Sequence, residues 1–105
     1  LGDIGYAISH TVRSYGFSVV KGLTGHGIGK KLHEDPSVFN EGERGRGMIL
    51  RPGMTIAIEP MISAGSAEIV QGVDEGYATA DGSLSSHFEH TILITDSGVE
   101  VFTVI

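Results

Sequence analysis

Two histidines, His26 and His33, stand seven residues apart in the stretch Gly25 to Pro36, which reads G-H-G-I-G-K-K-L-H-E-D-P. An imidazole can ligate a metal, carry a proton or donate to a developing charge. Glycines 25, 27 and 29 surround His26, and a chain uses glycine where its backbone bends sharply or approaches a ligand closely. The spacing therefore predicts a tight, side-chain-poor turn that presents His26. An isolated G-H-G is more often an ordinary surface loop, so the weight falls on two carboxylates elsewhere in the chain. In the strand predicted from Met54 to Glu59, Met54, Ile56 and Ile58 alternate with Thr55, Ala57 and Glu59. Glu59 thus shares a face with a hydroxyl and a small side chain, which leaves room for a ligand. In a second strand predicted from His87 to Thr95, Phe88, His90, Ile92 and Ile94 take one face, and Glu89, Thr91, Leu93 and Thr95 the other. Taken singly, Glu59 and Glu89 read as strand-edge surface charges. Two carboxylates in otherwise apolar strands, joined with a histidine, make a divalent cation an apt partner, because burying charge without one is costly.

The totals narrow the chemistry. At 105 residues the chain is about one domain, with room for one modest core. Seven Lys and Arg against 13 Asp and Glu give a net charge of −6, without the basic block or basic face that nucleic acid or an anionic membrane requires. There is no cysteine, so disulfides, thiolate metal sites and cysteine nucleophiles are excluded and any metal must be held by His, Asp and Glu. No apolar run approaches the ~18 residues of a membrane span, and no basic segment precedes an apolar one at the start. A soluble cytoplasmic protein is the expectation. Sixteen glycines without a repeat read as many turns between short strands.

The elements that must position these residues follow in chain order. Leu1, Ile4, Ile8, Val12 and Tyr15 form one apolar stripe of a helix that Gly16 ends, and His10 lies off that stripe as a solvated side chain. Phe17 to Val20 is a short strand leading to the glycine turn. From Asp35 to Arg51 the sequence is polar and without period, which predicts a mobile surface loop. Arg51-Pro52-Gly53 is a turn signal, and Pro60 ends the Glu59 strand. Short strands from Ala67 to Gln71 and Gly76 to Ala80 form a hairpin, and the Asp81-Gly82 turn leads into the long strand carrying Glu89. A three-residue loop, Asp96-Ser97-Gly98, returns the chain antiparallel as Val99 to Ile105.

Five segments together carry a specific resemblance. Gly25-His26-Gly27-Ile28-Gly29, His33-Glu34-Asp35-Pro36, Pro52-Gly53-Met54, Ile58-Glu59-Pro60-Met61, and Ser83-Leu84-Ser85 with Phe88-Glu89-His90-Thr91 occur in the order and spacing seen in type I methionine aminopeptidases. The chain resembles that family over essentially its whole length. The resemblance implies an α+β fold, the C-terminal half of the two-halved pita-bread fold over residues 1–105, with an antiparallel curved sheet and a covering helix. It implies that His26, Glu59 and Glu89 bind a pair of divalent ions, Co, Mn, Fe or Zn, with Glu89 bridging them. His33 would contact the substrate and the tetrahedral intermediate, and Leu32 and Tyr77 would line the methionine pocket, where the family more often has an aromatic or bulkier residue.

The implied function is removal of the N-terminal methionine from nascent peptides by a water that the two ions activate, with Glu59 shuttling its proton and His33 donating to the developing charge. In the family two further ligands, both aspartates, come from the first half of the fold. This sequence opens on Leu1 and lacks that half, so the chain by itself is expected to be inactive and prone to self-association. Two alternatives stand beside this reading: a non-catalytic half-fold interaction module, and a proline-specific peptidase of the same fold. The E-P-M and E-H-T strings resemble the methionine enzymes, where the proline enzymes typically read E-P-G. The 26 residues from His33 to Glu59 and 30 from Glu59 to Glu89 leave no room for the long insertion of the type II enzymes. His33-Glu34 is not a zincin motif, since Ser37 stands where H-E-x-x-H needs histidine.

Overall fold

The computed structural model describes residues 1–71 and 77–103. It opens with helix α1 (Gly2–Ser14), followed by ten short strands: β1 (Ser18–Val19), β2 (Gly25–Ile28), β3 (Glu34–Val38), β4 (Thr55–Ile58), β5 (Met61–Ser63), β6 (Ile69–Gln71), β7 (Tyr77–Thr79), β8 (Ser85–His87), β9 (His90–Thr95) and β10 (Gly98–Val101). The α+β class expected from the sequence is the one observed. The described strands form a five-stranded sheet in the order β10-β9-β4-β2-β3, a three-stranded sheet β1-β5-β8 and the β6-β7 ribbon, and every pairing is antiparallel. The chain leaves the larger sheet at Glu59-Pro60, because proline offers no ladder donor, and re-forms at Met61 as part of the smaller one.

The core lies against the five-stranded sheet. Val38, Ile56, Ile92 and Ile94 are buried together, with Leu1, Ile4, Leu50, Met54 and Ile58 packed around them. Met54, Ile56 and Ile58 share a face as their alternation requires, and Gly53, at φ 94°, makes the turn that starts their strand. The helix touches this core through Leu1 and Ile4. Its most buried residues are the small Gly5 and Ser9, because a loop carbonyl, that of Glu41, presses so close to Gly5 that any Cβ would collide with it. Tyr15, the last member of the apolar stripe, is exposed.

Four local expectations are corrected. Gly25 to Ile28 is a strand, not a turn: Gly25 and Gly27 are buried, and an added Cβ would overlap the carbonyl oxygens of Ala57 and Asp35 respectively. These glycines serve close strand approach rather than chain reversal. Part of the stretch from Asp35 to Arg51 is ordered into β3, whose Val38 reaches the core, so one apolar anchor outweighs the polar composition around it. The strand expected from His87 to Thr95 is broken after His87, where Phe88 donates its N–H to Pro60, and it resumes at His90. The loop after it has two residues, Asp96 and Ser97, since Gly98 pairs with Thr95. The β6-β7 hairpin is as expected, although its turn lies outside the described residues, as do the last two positions of the returning strand.

Candidate active site

Strand register assembles the site. His26 in β2 pairs with Ala57 in β4, and Ala57 with Thr91 in β9, while the next row, Gly27, Ile56 and Ile92, belongs to the core side. Side chains alternate along a strand, so His26, Ala57 and Thr91 face away from the core. The same alternation carried past the strand ends sends Glu59, two residues after Ala57, and Glu89, two before Thr91, to that face. One donor atom from each of His26, Glu59 and Glu89 lies within 4.8 Å of the others. Ala57, fully buried and small, leaves the space between them open.

The electrostatics of this cluster are unbalanced without a cation. His26 Nδ1 stands 3.0 Å from the Gly27 carbonyl oxygen. A carbonyl only accepts, so in the neutral ring Nδ1 carries the proton and Nε2 offers a lone pair. That Nε2 lies 2.7 Å from Glu59 Oε2, with both side chains nearly covered, at 12% and 13% exposure. Oε2 is itself buried and has no hydrogen-bond donor. Burial, and then the charge of Glu89, push the Glu59 carboxyl up from its ordinary range, with His26 and then His87 pulling the other way. Two carboxylates and an imidazole lone pair converging at these distances form an oxygen and nitrogen donor set for a hard or borderline divalent ion.

His33, just before β3, packs its ring against that of His26, centroid to centroid 4.0 Å. It is exposed and makes no hydrogen bond among the described residues, so its ring nitrogens remain available to a bound molecule. A cavity of about 270 Å³ opens next to His87, walled by Val20, Leu23, Met61, Ile69, Tyr77 and His87 among others. Tyr77 stands in the wall of this cavity. Leu32 is 70% exposed next to His33 and is not among the residues that wall this cavity. His10 is exposed and stacks on Tyr6, away from these groups.

Two residues that sequence reasoning passed over also hold the site. Asn40, buried in the segment expected to be mobile, donates its amide to the carbonyl oxygens of Leu23 and Glu59 at 3.4 and 3.3 Å. Those two acceptors fix the orientation of the amide and leave its Oδ1 buried without a partner. Composition gives no signal for such a clamp. His87 brings Nε2 to 3.8 Å from Glu59 Oε1. Its signal was present in the sequence, where it stands two residues before Glu89 in the strand expected from His87 to Thr95.

The comparisons with known proteins agree with this geometry. Residues 1–96 match the model of metallopeptidase family M24. The chain is 47% identical to the methionine aminopeptidase of Rickettsia prowazekii over 105 residues, covering 98% of this chain and 40% of that protein. It is 50% identical to the methionine aminopeptidase of Clostridium perfringens, covering all of this chain and 43% of that one. The crystal structure of the Thermotoga maritima methionine aminopeptidase superposes with a TM-score of 0.95 at 50% identity, over 99% of this chain and 42% of that one. The fold is therefore that of the pita-bread enzymes, and this chain spans about two fifths of the length of the relatives it matches. By the extent of that match and the likeness that accompanies it, the chain belongs to metallopeptidase family M24.

Proposed function

We propose that this chain supplies the reacting portion of a cytoplasmic metalloaminopeptidase that removes the N-terminal methionine of nascent peptides. The observation that carries the reading is the convergence of His26, Glu59 and Glu89 within 4.8 Å on one sheet face. The donor set fits divalent ions: a lone pair on His26 Nε2 and an unpartnered, buried Glu59 Oε2 face each other at 2.7 Å. His26, Glu59 and Glu89 would hold them, two ions of the Mn, Fe, Co or Zn class. Bound there, such ions polarise a scissile carbonyl and lower the pKa of water toward neutrality. Glu59, whose affinity for protons burial has raised, takes the proton of the attacking water and returns it to the leaving amine. His33 donates to the carbonyl oxygen as it gains charge. Tyr77 and the aliphatic wall of the cavity enclose the methionine side chain, and Leu32 covers it from the His33 side.

A chimera tests this reading. The 105 residues would replace the matching segment of the Thermotoga maritima enzyme, and release of methionine from a Met-Ala peptide would be measured alongside metal content. Activity is expected, with His26→Ala emptying the metal site and His33→Ala keeping the metal while lowering kcat by roughly 10²-fold. A chimera that folds and binds metal but hydrolyses nothing would favour the non-catalytic module instead. The chain by itself should release no methionine, because the resemblance implies five metal ligands and the donors of this chain fall short of that number, and it should self-associate through the apolar groove between α1 and Pro60, Ile62 and Phe88. Hydrolysis by a purified monomer, abolished by Glu59→Ala, would overturn that expectation.

A further inference from the structure

The three donors leave one imidazole beside them without a task. His87 closes β8, where its backbone pairs with Met61, and the next residue donates its N–H to the Pro60 carbonyl. Backbone contacts therefore hold His87 against the Glu59-Pro60-Met61 segment. Its Nε2 faces Glu59 Oε1 at 3.8 Å, while His26 Nε2 faces the other oxygen, Oε2, at 2.7 Å. Glu59 is thus bracketed by two imidazole nitrogens, one for each carboxylate oxygen.

At 3.8 Å the His87 contact is too long for a hydrogen bond, and the ring makes none elsewhere among the described residues. An ordinary charge attraction would leave the ring free to turn away, as its 43% exposure allows. Two ligands bound side by side to one first-row ion, each about 2.0–2.2 Å from it, sit about 3–3.5 Å apart. The observed separation is within a small ring rotation of that value. Open space adjoins the ring, because its side chain lines the 270 Å³ cavity.

We infer that His87 is a further metal ligand, a second imidazole that with Glu59 Oε1 binds a divalent ion of the first-row transition class. The inference rests on the proposed site and changes the part Glu59 plays in it. With one imidazole at each oxygen, Glu59 serves two ions rather than one. The donor set becomes two histidines and two carboxylates, all from this chain.

The test uses the 105-residue chain with Co(II) as the only added ligand, followed by calorimetry and by proton NMR of paramagnetically shifted ring signals. The wild-type chain should show two binding events and shifted signals from two imidazoles. In His87→Gln, a change that an exposed position paired through its backbone tolerates, one event should weaken by roughly tenfold or more and one imidazole set should vanish. His87→Ala should do the same, and His26→Ala should remove the other set. If both His87 variants keep the wild-type affinities and signals while His26→Ala loses its own, His87 is an exposed neighbour and the inference falls, leaving the three-donor site intact. No Co(II) binding by the wild-type chain would overturn both.

Discussion

The two larger sheets of this molecule are built on different terms. In the five-stranded sheet, Val38, Ile56, Ile92 and Ile94 are buried in one cluster and β4 is covered on both faces. In the three-stranded sheet, β8 is exposed along its whole length, and the most buried side chain is Ser63, which hydrogen-bonds to Ser83. The candidate site spans the seam between them. His26 and Glu59 stand on or next to strands of the first sheet, whereas His87 and Glu89 come from the chain as it passes from β8 to β9. A rigid apolar sheet holds donors in fixed geometry, and a half-covered segment leaves room for a substrate to enter. The contrast implies that the two sides of the site differ in stability.

The largest effect belongs to the five-stranded sheet. Ile56 is fully buried where β4 meets both β2 and β9. Ile56→Ala should cost about 4 kcal/mol, the range for deleting a buried aliphatic side chain that leaves a cavity. Ile69→Ala, in the β6-β7 ribbon and only partly covered, should cost roughly 1 kcal/mol. Urea unfolding of both variants checks the ranking, and equal losses would show that the ribbon is as tightly packed as the five-stranded sheet.

The same contrast explains what was legible in the sequence. The strand bearing Glu59 could be read from alternation alone, because one face of β4 packs on the core and the other faces the site. The histidine and both carboxylates were legible as chemistry, since their types and spacing form a recognisable set. The Gly25–Gly29 stretch was misread because glycine marks two different needs, reversal and close approach, and only the neighbouring strands distinguish them. The break at Phe88-Glu89 was invisible for a related reason. The apolar alternation of residues 88 to 95 continues through it, and the interruption is imposed by Pro60 on a distant segment. Asn40 lay beyond reach because a single buried amide leaves no period.

Asn40 gives the intermediate prediction, since it ties the segment entering β2 to the residue leaving β4. Asn40→Ala removes two donors from the carbonyls of Leu23 and Glu59 but also removes an unpartnered Oδ1, so the net loss of stability should be about 1 kcal/mol. Co(II) affinity should fall as well, because the Glu59 backbone loses its anchor. Asn40→Asp should be worse than Asn40→Ala, as it sets a carboxylate oxygen against two carbonyls. If Asn40→Ala lowered stability and left Co(II) affinity unchanged, Asn40 would hold the fold and have no part in orienting Glu59.

The smallest effect lies on the open side, at Asp81. Its Oδ2 accepts the Ser66 N–H at 2.8 Å, and its Oδ1 accepts the Ser83 N–H at 3.1 Å and the Ser83 hydroxyl at 2.7 Å. These bonds join the chain entering β6 to the turn after β7 and so close the base of the ribbon that carries Tyr77. The same bonds, with the Ser66 N–H foremost, hold the Asp81 carboxyl down at about 2, below its ordinary 3.8. A depressed folded-state pKa means the ionised form is favoured by folding, so the stabilisation is complete above about pH 4 and is lost as pH falls through about 2. Asp81 is exposed, so the consequence is local. Amide exchange at Ile69 and Thr79 should accelerate several-fold as the solution is acidified from pH 4 to pH 2, after correction for intrinsic rates, while Ile56 and Ile92 stay protected. Asp81→Asn should loosen the ribbon already at pH 7 and flatten that pH response, because an amide has one oxygen acceptor and turns a donor toward one set of N–H groups. An unchanged pH response in Asp81→Asn would assign the acid sensitivity to the carboxylates at the seam, and the ribbon would then be held by the serines alone.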